Sequence, residues 1–378
     1  MFGNRNSQPK GATGTSNSFF VPCKTDPTPI NMESDYFIIK VHSAQAAFTG
    51  PLWEKAVRLI VTTQVNLNLP YMNEDIFSIQ RTREIERDRT IKLGLCPNLV
   101  SLVPACMTHV SVAIDFIVDK KNQLASLQSL INDDNLLSIL SLAPGSVLVA
   151  KSIGQVAKKI IQTFIPANEQ QPILQFECDF NLVTENFKEG FYVVMGSSSP
   201  KSPLPVDPGM IEVRNGEVFI DQTLITNLSY VVLEVIRVPA RGRTMSEDAE
   251  WEDMLREAED LAEITGRERS MKVAEKKKAW EKCRSLLISA QALLRADRNY
   301  HPKDARAIIT DAYTTCEKAI LGSPEQRITK GGSNQMEEWS SDIDEDRQFL
   351  DIPTDIEATL DDYAERLYDA KSILDREK

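Results

Sequence analysis

Between residues 34 and 240 the apolar residues recur with the period of a β-strand, in short runs broken by turn residues. The clearest run is 108–118 (THVSVAIDFIV), where Val110, Val112, Ile114 and Phe116 share one face of an extended chain. Further strands are expected at 36–41, 57–67, 76–81, 173–182, 191–195, 211–213, 217–220 and 230–238 from β-branched content and bounding turn residues. Asn215-Gly216 between two apolar runs predicts a tight hairpin, since both turn positions of a type I′ turn need positive φ. Strand mostly follows strand without an intervening helix, so the pairing is expected to be antiparallel.

The period changes at 121–165. Leu124, Leu127, Leu130 and Ile131 are spaced as on a helix, and Asp133-Asp134-Asn135 offers a cap for the run after it. Farther on, Ile153, Val156, Ile160 and Phe164 fall on one helical face with Lys151, Lys158 and Lys159 on its flank. This predicts a helical insertion within a β domain. The stretch 136–150 carries no charge but is too short to span a bilayer of about 30 Å as a helix, and Pro144-Gly145 interrupts it. A buried helical hairpin is the plainer reading. A membrane-interfacial element is the sharper one, with Leu136, Leu140, Val147, Ile160 and Phe164 as the membrane- or partner-contacting candidates.

After Pro239 the period becomes helical throughout, with helices expected at 247–264, 270–298, 303–321 and 355–376. Val273, Trp280, Leu287 and Leu294 lie seven apart, and Pro302 opens the next helix at its preferred first position, predicting an antiparallel hairpin. The last helix alternates spacings of four and three through Ile356, Leu360, Tyr363, Leu367, Ala370 and Leu374, the seam of a coiled coil. The expected fold class is α+β: an antiparallel β-sandwich or partly closed barrel with a helical insertion, followed by a small all-α region. The expected divisions are a flexible arm at 1–33, the β domain at 34–240, a helical hairpin at 246–322, an acidic flexible loop at 323–354 and the heptad helix at 355–378.

Charge sharpens that boundary. The last 134 of the 378 residues hold 32 Asp+Glu against 21 Lys+Arg, while the first 244 hold 23 against 22. Thirteen of 14 Phe and 16 of 19 Pro precede residue 245. Such acidity argues against a protein held on nucleic acid by phosphate contacts. The mixed signs at 81–92 read as a solvated, salt-bridged face. Six scattered cysteines without a CxxC pair read as reduced thiols in the cytoplasm, and the polar first 20 residues lack the apolar core of a secretory signal.

Candidate chemistry is sparse. The sequence contains neither of the Gly-rich phosphate-binding motifs, and neither H-E-x-x-H nor G-x-S-x-G. Cys96, Cys106 and His109 supply three potential zinc ligands where a structural site needs four, so they read as ordinary small residues. A Cys–His nucleophile pair, such as Cys106 or Cys178 with His42, can be written down, but buried free cysteine is the plainer reading. The scattered carboxylates Asp115, Asp119, Asp179, Asp207 and Asp221 lack an organising calcium loop. No catalytic, cofactor or metal site is therefore expected. Trp339 and Ile343, inside the acidic run 337–346, resemble a short segment that docks on a partner, and Arg241 and Arg243 read as an exposed protease site.

These features predict a non-enzymatic intracellular interaction or assembly protein whose β domain and acidic helical region engage different protein partners or each other. Partner-binding candidates are Trp339, Ile343, Leu360, Tyr363, Leu367 and Leu374, the last four also serving a homo-oligomer through the C-terminal helix. The first alternative is a regulated membrane-acting effector whose apolar insertion at 136–165 is masked by the C-terminal region until the linker near 239–245 is cut or moved. The second is an enzyme whose site escapes motif analysis.

Overall fold

The computed structural model describes residues 16–22, 28–48, 56–57, 59–69, 72–81, 85–86, 89–93, 98–106, 109–118, 147–151, 174–181, 187–196, 208–243, 249–268, 271–321 and 345–376. The protein is α+β, with antiparallel sheets followed by a helical C-terminal region, and none of the described sheets closes into a barrel. Contacts divide it into two compact units. The first draws on Met1–Ile30, Phe37–Ser101 and Met107–Arg237; the second on Asn31–Tyr36, Leu102–Cys106 and Val238–Lys378.

In the first unit, the larger sheet runs β1 (Ser16–Val21), β12 (Gly190–Gly196), β16 (Tyr230–Val238), β2 (Tyr36–Phe48), β7 (Arg89–Lys92), with β8 (Asn98–Pro104) also pairing β2. A five-stranded sheet runs β10 (Val147–Lys151), β5 (Met72–Arg81), β4 (Leu59–Leu69), β9 (His109–Val118), β11 (Leu174–Asn181). Its centre is the β4–β9 ladder, where register opposes Val61 to Phe116, Val65 to Val112 and Leu67 to Val110. All six are buried, so the alternation visible in 108–118 is one half of a set of cross-strand apolar pairs. Each such pair contributes roughly 0.2–1 kcal/mol beyond an alanine pair.

Three short strands, β13 (Ile211–Arg214), β14 (Glu217–Ile220) and β15 (Thr223–Leu224), form a small sheet. Ile211 and Val218 from it join Val21, Val193, Met195, Tyr230 and Val232 in one apolar cluster with strands β1, β12 and β16. A two-stranded sheet, β3 (Ala56–Val57) with β6 (Ile85–Glu86), completes the described pairings.

The structure departs from the sequence reading at the three places that follow, at the linker 239–243 and at 345–352, where the end of the expected flexible loop 323–354 is instead a packed helical turn. The segment assigned to a flexible arm contains β1, which pairs along its whole length with β12, from Ser16 opposite Gly196 to Val21 opposite Phe191. SNSFFV has no clean alternation, so its order comes from the ladder it joins rather than from its own pattern. Of the expected helical insertion, only 147–151 lies in the described residues, and it is a strand, with Val147 opposite Gln80 and Lys151 opposite Ile76. β-branched Val147 and Val149 follow the chain-breaking Pro144-Gly145, and a partner edge on β5 overrides the helical reading. Leu136, Leu140, Ile160 and Phe164 lie outside the described residues. Within 81–92, read as a solvated, salt-bridged face, Ile85 is buried in the β3–β6 pair, while Arg89 and Glu86 form an exposed ion pair.

The four helices are close to their expected positions: α1 (Glu250–Arg267), α2 (Val273–Ala296), α3 (Pro302–Leu321) and α4 (Ile356–Arg376). Among the described residues none is long and apolar enough to cross a membrane. On α1 the buried residues Trp251, Leu255, Ala258, Ala262 and Thr265 are spaced four and three apart, and on α2 Trp280, Cys283, Leu287, Ala290 and Leu294 repeat that stripe. α1 packs on both α2 and α3. Near its end Gly266 meets the Ala319 backbone so closely that any Cβ there would clash with the carbonyl.

The hairpin tip generates a prediction. Asn215 and Gly216 have φ of 52° and 77°, and a Cβ on Gly216 would sit 3.3 Å from Ser43 Cβ. Gly216→Ala should lower the unfolding free energy by about 1–2 kcal/mol, the cost of forcing a side-chain-bearing residue left-handed. Chemical denaturation would measure it, and an unchanged midpoint would show that the turn relaxes freely.

Candidate interaction site in the helical unit

The α2–α3 hairpin turns through 297–301, and this turn is built from side-chain bonds. Asp297 accepts from the Asn299 backbone N–H at 2.9 Å and from Trp251 Nε1–H at 3.0 Å. His301 caps α3, since its Nδ1 accepts from the Lys303 N–H at 3.2 Å. Its Nε2 then carries the proton and donates to the Met32 carbonyl at 3.1 Å. Burial holds the imidazole pKa below its usual value, consistent with that neutral form.

One turn into α3 lies Asp304, which has no solvent exposure. Its Oδ2 accepts from the Arg241 N–H at 2.9 Å, and its Oδ1 from Arg366 Nη1 at 2.8 Å. The Tyr36 hydroxyl donates to the same carboxylate and accepts from the His301 N–H at 2.7 Å. Arg366 also donates to the Pro239 carbonyl at 2.9 Å, and the Tyr363 hydroxyl to the Arg241 carbonyl at 2.9 Å. Burial pushes the Asp304 carboxyl above its usual range, against the pull of Arg241, Arg366 and Tyr36. Burial and the charge of Asp304 raise Tyr36 and Tyr363 well above ordinary tyrosine. The hub thus joins the 31–36 piece, the chain at 239–243, α3 and α4.

The same bonds close the expected protease site. Arg241 stacks over the Tyr300 ring at 5.0 Å, and the buried Gly242 accepts from the Tyr300 hydroxyl at 3.0 Å. Arg243 forms a fork on Glu259 at 2.7 and 3.0 Å and reaches Glu252 at 2.9 Å. Composition marked this stretch as linker because Pro, Gly and Arg are polar-loop residues. Its order comes from Glu252 and Glu259 on the following helix α1 and from the more distant Asp304 on α3.

A second arrangement lies on the other face of the hairpin. Residues 345–349 form a short helix that ends in a Schellman turn: the Asp351 N–H bonds the Gln348 carbonyl at 3.2 Å and the Ile352 N–H the Arg347 carbonyl at 2.8 Å. Asp351 takes the left-handed position, φ 54°, where glycine is usual. The segment lies along α2 and α3. Trp280 Nε1–H donates to Asp346 at 3.0 Å, and Arg284 pairs with the other oxygen of that buried carboxylate. Arg347 Nη2 donates to both carboxylate oxygens of the buried Glu317 of α3, at 2.9 and 3.0 Å. Leu350 and Ile352 are buried.

The helices also grip the segment's main chain. Gln291 Nε2 donates to the Leu350 carbonyl at 2.6 Å, and Arg306 Nε to the Asp351 carbonyl at 2.9 Å. The Asp351 carboxylate lies between Arg306, 3.1 Å, and Arg295, 3.3 Å. Beyond Asp351 a cleft of 810 Å³ opens between residues 31–34, α2 and α3. The buried Leu294, Ala305 and Ile309 form its floor, while Glu33, Arg295, Lys303 and Arg306 supply charge.

The expected site residues fall as follows. Tyr363 is buried in the hub, while Leu360, Leu367 and Leu374 are half-buried along α4, whose Tyr368 is exposed. Trp339 and Ile343 lie outside the described residues, as does Cys96. Val147 and His109 are in strands β10 and β9. His42 is exposed, with Nδ1 2.9 Å from Glu234, a carboxylate also paired with Lys40 at 3.2 Å. Cys106 is half-buried and burial raises its thiol pKa, the opposite of an activated nucleophile. Cys283 and Cys316 are buried free thiols that share a hydrogen bond, which holds Cys316 well above the usual range. Among the described residues no group of three or more His, Cys, Asp or Glu could hold a metal ion.

The sequence reading missed Asp304, Asp346, Asp351, Gln291 and Arg306. Asp346 had a visible signal, as an acid opening a short amphipathic run, but it was absorbed into the acidic loop. No family model matches the chain, and no curated protein matches it in sequence.

Asp304→Ala removes one member of a buried ion pair and strands Arg366, Tyr36 and the Arg241 N–H, so it should cost about 3–5 kcal/mol. Asp304→Asn keeps an acceptor and should recover part of that loss. Trypsin should cut after Arg241 and Arg243 slowly in the wild type and faster in the Ala variant. A wild-type melting temperature together with wild-type cleavage rates would remove the hub from the stabilising contacts.

Proposed function

We propose that this is a non-enzymatic interaction or assembly protein of the cytoplasm, whose β unit and helical unit engage different protein partners. The observation that carries the reading is the seating of 345–352 on α2 and α3. The helices hold this stretch as they would a bound peptide, with a buried apolar anchor, charged pairs around it and bonds to main-chain carbonyls. Two further features support it. The exposed apolar residues Ile264, Phe349 and Tyr368 lie on the helical unit. The free thiols of Cys106, Cys283 and Cys316 suit a reducing compartment.

Crosslinking capture of the full chain from its native cell tests this. Two sets of partners are expected, one lost on Gln291→Ala with Arg306→Ala and one retained. Recovery of the bare chain alone, at every expression level, would sink the reading.

A further inference from the structure

We propose that the α2–α3 groove is a receptor for a short acidic–aliphatic helical segment of a partner protein, and that the chain's own residues 345–352 occupy it in cis. This rests on the reading above and names its ligand. The recognised pattern can be read from the occupant: an acid at Asp346 for Trp280 and Arg284, a base at Arg347 for the buried Glu317, an aliphatic anchor at Leu350, a second acid at Asp351 and an aliphatic at Ile352. Two of the grips, from Gln291 and Arg306, go to main-chain carbonyls and would hold any segment of that shape.

Three features set the occupant apart from ordinary core. Asp351 stands at a left-handed position where glycine is free of steric cost, and what it gains is a carboxylate clamped by Arg295 and Arg306. Phe349 is 61 % exposed beside the buried anchor, so among the described residues one face of the helical turn has no apolar cover. The groove also does not end with its occupant, because a cleft opens next to Asp351 with Glu33, Arg295, Lys303 and Arg306 in its lining.

That unused space supplies what displacement requires. Residues 322–344 tie the segment covalently to α3, which makes its binding intramolecular and raises its effective concentration. A trans segment of equal affinity would compete poorly against it. A ligand that keeps the acid–aliphatic pattern and continues into the cleft gains contacts the cis segment lacks, and only such differential affinity shifts the equilibrium.

The test uses the full chain and a fluorescein-labelled synthetic peptide of residues 342–354. The wild type should bind it weakly. Asp346→Ala with Leu350→Ala loosens the cis segment and should tighten binding at least tenfold. Adding Gln291→Ala and Arg306→Ala should abolish it. Should the loosened variant fail to fold, hydrogen exchange on the wild type serves instead: saturating peptide should speed exchange at the Leu350 and Ile352 amides at least fivefold. Unchanged protection there, or binding indifferent to Gln291 and Arg306, overturns the proposal. A wild-type dimer that groove variants dissociate would make the occupant a second copy and overturn the partner assignment. A chain that rejects the peptide yet still captures two partner sets overturns this proposal alone; capture of no partner overturns the function it rests on.

Discussion

Asp304 has no access to water, and everything around it is arranged to satisfy one carboxylate. Its donors come from three separated parts of the chain: the hydroxyl of Tyr36, the backbone of Arg241 and the guanidinium of Arg366. Each donor is itself held by a further bond, Tyr36 by the His301 N–H, Arg366 by the Pro239 carbonyl and the Arg241 peptide by Tyr363. A buried charge with so many partners is stable only while all of them are present, because losing one leaves others desolvated and unpaired. The hub therefore behaves as one object. It explains why residues 31–36 belong with the helices, though they are about 200 residues away in sequence from the nearest helix.

The docked segment follows a different logic. Its anchor is Leu350, but most of its contacts are charged and directional: Asp346 with Trp280 and Arg284, Arg347 with Glu317, Asp351 with Arg295 and Arg306. Exposed pairs such as those of Asp351 contribute only about 0–1 kcal/mol each. They discriminate more than they stabilise, since a segment with the wrong charge pattern would leave Arg284, Arg295 and Arg306, or the buried Glu317, without a partner.

How much of this was legible follows from the range of each signal. The alternation in 108–118 survives because both of its neighbours in the sheet present apolar partners, so local pattern and tertiary pairing agree. The α2 stripe from Trp280 to Leu294 is legible for the same reason, although its first expected member, Val273, is exposed at the start of the helix. β1 and β10 were lost because an edge strand takes its order from the strand it joins. The 239–243 linker was misread because Glu252, Glu259 and Asp304, which fix it, carry no mark in sequence that they point towards it. Asp304 itself reads as an ordinary acid in a helix's first turn, a favourable place next to the macrodipole. Nothing local distinguishes it from Glu275, which occupies the first turn of α2 and only accepts from the Lys272 N–H.

The two arrangements meet on α3, and this constrains what can move. Asp304 faces the hub, while Arg306, two residues on, holds the Asp351 main chain and carboxylate. Residues two apart on a helix project about 200° from one another, so the bonds of one need not strain those of the other. α3 can then release the segment at 345–352 without breaking the hub, since the segment's other contacts, to Trp280, Arg284, Gln291, Arg295 and Glu317, make no use of Asp304. What release leaves behind is costly on the helix side: Glu317 is buried and would lose its bonds from Arg347, and Trp280 would lose the acceptor for its ring N–H. A groove with such polar groups does not stay empty in preference to being filled. Exchange for a segment that also carries a base for Glu317 and an acid for Trp280 and Arg284, rather than simple opening, is the transition this chemistry favours.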